Sequence, residues 1–331
     1  MFRAFLVSML LVMFTGVSHG QVNGLEQGRA RAEAFLAGEI APIWVAMTPQ
    51  LQRQLGTQAD LVRFRERVLN DLGTEQGIED EETVATGQGM TTYRRTANWS
   101  RAPGLVLMEW TFDAEGQIAG FFIRPVPVAA SSRFLGYHTR ADMRLPFEGT
   151  WDVVWGGRSL ALNYHAADQG QRFAYDFLVT RDGASHGGDP ARLEAYHCWG
   201  RPILSPASGT VVAAANTLPD NDIGQRDAAH PLGNHVILDM GASEFVFLAH
   251  LQKGSVEVEP GDEVVAGQTL GACGNSGNST EPHLHLHVQT TAILGDGEGL
   301  PAQFQDYSAD GTVFERGEPV RGQRIASVEE E

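Results

Sequence analysis

The pattern of apolar and polar positions changes character once along this chain. Before about residue 128 it mixes helical and strand periods, and after about residue 149 it is almost wholly of strand type. Ala32, Phe35 and Leu36 fall at helical spacing. Leu61, Phe64, Val68 and Leu72 form one apolar stripe, with Asp60 placed to cap that helix and Gly73 to stop it. Residues 91–99 and 105–112 are rich in β-forming side chains, and the turn at 113–116 feeds 117–124 as a hairpin partner. Helices followed by an antiparallel meander predict an α+β domain over residues 21–128, a curved sheet wrapped on helices. Pro125, Pro127 and Pro146 bracket the small residues Ala129, Ala130, Ser131 and Ser132, so 129–148 reads as a linker. Short apolar runs with frequent glycines and tight turns then predict an all-β antiparallel domain over 149–320.

The chain of 331 residues is long enough for two such domains. Residues 1–20 read as a signal peptide: Arg3, an apolar run from Ala4 to Met13, then small residues before Gln21. That run is short of the roughly 20 residues a membrane span needs, and no later segment reaches it. The expectation is an exported chain, periplasmic or extracellular, with no transmembrane segment once mature. A net charge of −17 argues against a nucleic-acid partner, which selects basic patches. Residues 321–331, ending in three glutamates, read as an acidic tail. Cys198 and Cys273 are the two cysteines. In an oxidising compartment they read as one structural disulfide, with two zinc thiolates as the alternative.

Candidate chemistry gathers at Pro282-His283-Leu284-His285-Leu286-His287. Strand residues alternate faces, so the three histidines share one face and the leucines the other. Imidazoles set side by side on a rigid strand can hold a metal with one ring and act beside it with another. A catalytic zinc takes three protein ligands and leaves one position for water. His250 lies in the apolar run 247–251, and Asp176 in the apolar run 173–177. A carboxylate in such a run needs a cation, a metal or several donors.

Taken together, these segments resemble the lysostaphin-type, or LytM-like, zinc peptidases over roughly 156–288. The pieces stand in family order: the strand-turn-strand at 202–212, the strand at 233–238, the His250 segment, the turn-rich lead-in at 258–271, and the His-x-His strand. The N-terminal part resembles cystatin-like cone domains by pattern alone. The resemblance implies a zinc metalloendopeptidase that hydrolyses peptide bonds in bacterial peptidoglycan through zinc-activated water. Carried over residue by residue, it implies Asp176 and His285 as Zn2+ ligands and His283 and His250 as the non-ligand catalytic histidines. His283 is then the base, and His250 the donor to the oxyanion or the leaving amine. His287 has no role in the basic motif; it lines the cleft, supports a ligand or is solvated.

One position departs from the family pattern. Four residues before Asp176 the family has its first zinc histidine, and here that residue is Arg172, which cannot ligate. The expected substitute is His165, ahead of His186 and His197. A branch of the family has an Asn-Tyr-His segment before a Gln-Arg-Phe-Ala strand, similar to 163–165 and 171–174 here. That branch also has cysteines placed like Cys198 and Cys273, which implies a bond between them. His230 and His235 read as structural or surface residues. The main alternative is a catalytically inactive LytM-like module that binds wall or activates another wall hydrolase, with Arg172 as its best argument. A third reading is a peptidase acting on soluble peptides. A sugar-cleaving enzyme finds no motif of paired carboxylates.

Overall fold

A computed structural model describes residues 24–328 apart from residue 88. The leader expected over 1–20, and residues 329–331 of the tail, lie outside the described residues. The chain divides into two compact units at Val126/Pro127.

The first unit begins with α1 (Gly24–Ala37), α2 (Ile40–Ala46), α3 (Pro49–Leu55) and α4 (Gln58–Leu72). A four-stranded antiparallel meander follows: β1 (Glu75–Gly87), β2 (Met90–Trp99), β3 (Val106–Phe112) and β4 (Ile118–Pro125). Helix α4 starts three residues earlier than a cap at Asp60 would set it. Thr57 is the cap, its hydroxyl accepting from the Asp60 N–H while the Asp60 carboxylate accepts from the Thr57 N–H. Asp60 is thus the third-residue partner of a capping box. The stripe buries Leu61 and Val68, and β3 buries Val106, Met108, Trp110 and Phe112. Trp110 stacks on Phe121 at 4.0 Å, with Phe35 edge-on to Trp110. Strand β1 is absent from the apolar pattern because it is acidic; two of its acids, Glu75 and Glu81, face the buried Arg95 on β2.

The second unit holds β5 (Trp151–Trp155), β6 (Tyr175–Leu178), β7 (Pro202–Leu204), β8 (Gly209–Ala215), β9 (Asn234–Asp239) and β10 (Phe245–Leu251). These are followed by β11 (Glu263–Val264), β12 (Thr269–Ala272), β13 (Leu284–Gln289), β14 (Gly299–Leu300), β15 (Phe304–Ala309), β16 (Thr312–Gly317) and β17 (Arg324–Ser327). The main sheet runs β11-β8-β9-β10-β13-β6-β5-β17-β15-β16, with β14 added to β13 and the pair β12-β7 separate. Every ladder between these strands is antiparallel. The fold class is therefore a small α+β region followed by a largely antiparallel β domain.

Strand β13 lies mid-sheet between β10 and β6 and is buried on both faces. Leu284, Leu286 and Val288 enter the core with Tyr175, Phe177, Val246 and Leu248. Phe147, Trp151, Phe177 and Phe304 complete that core, with Phe147 stacked on Trp151 at 4.5 Å. Each such side chain contributes roughly 1.5–3 kcal/mol by leaving water. The sheet around the opposite face of β13 is thereby held rigid.

Two sequence expectations need correction here. Residues 129–148 are not a free linker but part of the second unit. Met143, Leu145 and Phe147 are buried in its core, and Met143 bridges Phe304. The buried Glu244 carboxylate fastens the preceding turn, accepting from the Tyr137 hydroxyl (2.8 Å) and the N–H groups of Arg140 (2.6 Å) and Ala141 (2.8 Å). The second correction concerns 321–331, which is not a solvated tail throughout. Strand β17 inserts between β5 and β15 with Ile325 buried, because an apolar side chain there fills the sheet's inner face.

Candidate metal centre

The face of β13 opposite the core carries His285, His287 and Gln289. In register, His285 sits beside Asp176 on β6 and Ala249 on β10. Asp176 is flanked by Tyr175 and Phe177, which face the core, so alternation turns its carboxylate to the other side. Its Oδ1 is 2.8 Å from His285 Nδ1 and its Oδ2 is 3.1 Å from His165 Nε2. The nitrogen and oxygen donors of His165, Asp176 and His285 all lie within 4.8 Å of one another, and all three residues are buried.

His165 comes from a one-turn 3-10 helix, Tyr164–Ala167. Two side chains that the sequence reading left without a role hold this turn. Asn163 caps it, its Oδ1 accepting from the His165 N–H while its Nδ2 donates to the carbonyls of Gly157 (3.0 Å) and Ala174 (2.9 Å). Arg172 is buried and donates from Nη1 to the Ala166 carbonyl at 3.0 Å. The residue at the family's histidine position thus braces the turn that presents His165. Asn directly before a short helical turn is a capping signal that the sequence already carried.

His250 reaches the site through a break in strand alternation. Val246, Leu248 and Leu251 are all in the core, so the pairing of β10 with β9 shifts between Leu248 and Leu251. His250 takes up the shift with φ of 64°, a left-handed conformation that only glycine, and less often asparagine, adopts readily. Its ring is thereby turned from the core towards the site face, 4.8 Å from the His283 ring and 5.7 Å from that of His285. His283 precedes β13, and its Nε2 lies 3.8 Å from Asp176 Oδ1.

Hydrogen bonding fixes the state of both rings. His250 Nδ1 faces the Ser276 carbonyl at 2.9 Å and His283 Nδ1 faces the Glu281 carbonyl at 2.9 Å. A carbonyl only accepts, so each Nδ1 carries the proton and each neutral ring has a bare Nε2. Burial pushes His250 well below the ordinary histidine range, helped by His283 and His285. Burial acts upwards on the Asp176 carboxyl, but the charges and hydrogen bonds of His165, His283 and His285 together hold it well below the usual range. Burial, with the Asp176 charge, raises the Tyr164 hydroxyl. A charged carboxylate beside two imidazoles that give up their protons on binding is a donor set that fits zinc, leaving one position open.

Two cavities meet at this centre. One of 400 Å³ is lined by His165, His250, His285 and Leu294, and one of 270 Å³ by Asp176, His283, Trp155 and Arg226. Both share Tyr164 and Asn278. The structure thus gathers His165, Asp176, His250, His283 and His285 in one place. His287 is buried rather than solvated. His186 pairs with Tyr196, His230 with Asp227 and His235 with the Gly233 carbonyl. Neither these nor His197 joins the three-residue group. Cys198 and Cys273 are buried free thiols with their sulfurs 2.8 Å apart.

Residues 194–296 match the model of peptidase family M23. That stretch contains His250, His283 and His285, while His165 and Asp176 precede it. Over 111 residues the chain is 32% identical to the peptidoglycan DD-endopeptidase ShyA of Vibrio cholerae serotype O1, covering 33% of this chain and 21% of that protein. The chain therefore spans about a fifth of the length of that curated relative. Among solved structures, the catalytic domain of lysostaphin from Staphylococcus simulans matches with 23% identity, 46% of this chain, 87% of that chain and a TM-score of 0.28. A putative peptidase M23 from Pseudomonas aeruginosa matches with 19% identity, 68% and 92% coverage and a TM-score of 0.28.

Proposed function

We propose, from the premise that this chain carries a peptidase family M23 domain, that it is an exported zinc endopeptidase hydrolysing peptide bonds in peptidoglycan. The observation that carries this reading is the convergence of the His165, Asp176 and His285 donor atoms within 4.8 Å, with two further imidazoles beside them. The curated relative acts on peptidoglycan by its name, which supports the substrate class.

His165, Asp176 and His285 would hold the ion. Zinc bound there supplies Lewis acidity towards the peptide carbonyl and lowers the pKa of a water to ~7. The rest of the work falls to the chain. The two cavities accommodate an extended peptide on either side of the centre, with Tyr164 and Asn278 touching both halves. His283 takes the proton of the attacking water at its bare Nε2. The departing amine receives back the proton taken up at His283 Nε2, beside the neutral His250 ring 4.8 Å away. Asp176 remains ionised throughout. Its carboxylate offsets positive charge in a buried site.

Arg172 favours the alternative of a non-catalytic wall-binding module. Its hydrogen bond to the turn of His165 gives it a different part, as a brace for a complete donor set. Peptidoglycan lies outside the cytoplasmic membrane, so this function requires export. In that compartment the facing thiols of Cys198 and Cys273 would be joined. Digestion of purified sacculi, with released fragments identified by mass spectrometry, tests the proposal. New peptide ends that disappear with His285→Ala support it. Intact sacculi after treatment with folded, zinc-loaded protein overturn the wall substrate.

A further inference from the structure

Strand β13 carries two buried polar atoms without a hydrogen-bond partner, His287 Nε2 and Gln289 Oε1. They belong to side chains on one face of the strand, two residues apart. On its other edge, His287 Nδ1 lies 3.0 Å from His285 Nε2. Phe247 stacks on the His287 ring at 4.4 Å and 18°, which fixes the ring plane. The family motif gives His287 no part in the reaction.

Proton positions along this row follow from its far end. Gln289 Nε2 lies 2.8 Å from the carbonyls of both Thr291 and Ile293. Carbonyls accept, so that atom is the amide nitrogen, and the remaining Gln289 atom, Oε1, is an acceptor. What satisfies it must be a donor. His287 Nε2, two residues away on the same face, is the unpartnered atom able to supply it, and it does so when it carries the proton. His287 Nδ1 is then bare and accepts from His285 Nε2–H. His285 Nδ1 is left with its lone pair, 2.8 Å from Asp176 Oδ1. Two acceptors face each other there, an arrangement that a cation between them resolves. The opposite order would set bare His287 Nε2 against Gln289 Oε1, two acceptors facing in a dry interior, where nothing compensates them.

We infer that His287 and Gln289 are positioning residues that fix the His285 tautomer, so that Nδ1 is the atom offered to the metal. The row also ties the centre to the 291–296 turn, which Gln289 holds and whose Leu294 lines the larger cavity. This inference rests on His285 being a metal ligand. Outer partners of ligating histidines typically matter by 10–100-fold in metal affinity.

The test uses the wild-type chain first. Long-range ¹H–¹⁵N correlation spectra of the zinc-loaded, ¹⁵N-histidine-labelled protein report which nitrogen of each ring is protonated. The expected result is Nε2–H for both His285 and His287. Zinc affinity is then measured by competition with a chromophoric chelator. His287→Leu should weaken binding by about 10- to 100-fold, and His287→Gln, which still accepts and donates, should recover most of the loss. Zinc-loaded protein with His285 protonated at Nδ1 overturns the relay while leaving the metal centre standing. So does a His287→Leu variant that binds zinc within about twofold of wild type. A wild-type chain that takes up no zinc overturns both readings.

Discussion

His250 holds a left-handed backbone that a histidine adopts only at a cost of about 1–3 kcal/mol. The strain persists because the core takes Leu248 and Leu251, leaving the residue between the two faces to absorb the register shift. Asparagine tolerates this conformation better. His250→Asn is therefore expected to leave the melting temperature unchanged or raised while peptide cleavage falls by about 10²–10³-fold. Parallel thermal melts and turnover assays check this; an asparagine variant with full activity would contradict the role given to the ring. At this scale much was legible in the sequence. Alternation put the histidines of 283–287 on one face, and the family resemblance, not the period, supplied Asp176 as the partner of His285. The shift at His250 was not legible, since nothing in 247–251 marks where pairing slips. Arg172 was visible as an anomaly, but its hydrogen bond to Ala166 depends on a turn that only the folded chain defines.

Among the elements, those with one strong period were readable and those with mixed demands were not. The α4 stripe and the β2–β4 meander stand out because one face is apolar. Strand β1 was hidden because its acids pair with Arg94 and Arg95 across the ladder instead of burying apolar surface. The segment before β5 was hidden by prolines and small residues, although Met143, Leu145 and Phe147 recur with a period of two that marks an extended, one-sided strand. Its attachment makes a specific prediction. Glu244→Ala removes an acceptor shared by two N–H groups and a hydroxyl inside a buried site. The expected loss is about 2–4 kcal/mol, read by denaturant unfolding. A loss within ~0.5 kcal/mol, the usual range for surface changes, would mean the segment is not anchored there.

Across the whole molecule, buried histidines set the response to acid. Burial lowers His235 from its ordinary value of 6.5, and lowers His250 well below it. Below about pH 6.5 the unfolded chain then binds more protons than the folded one. The stability these groups contribute is complete above that pH and is lost as pH falls towards the depressed folded values. Melting of the metal-free protein should accordingly drop between pH 7.5 and pH 5, and a flat profile would contradict the burial of these rings. The broad division into an α+β part and an antiparallel β part was legible from the change of period. The limits of the second part were not, because its first and last strands are short and lie among polar residues.

Everything proposed about catalysis depends on a complete donor set despite Arg172. Elemental analysis of purified wild-type protein and His165→Ala, both dialysed against a weak chelator, addresses that most directly. About one zinc per wild-type chain is expected and little in the variant, with both proteins folded. A variant that retains zinc as tightly as wild type would show that His165 is no ligand and that the centre is built differently.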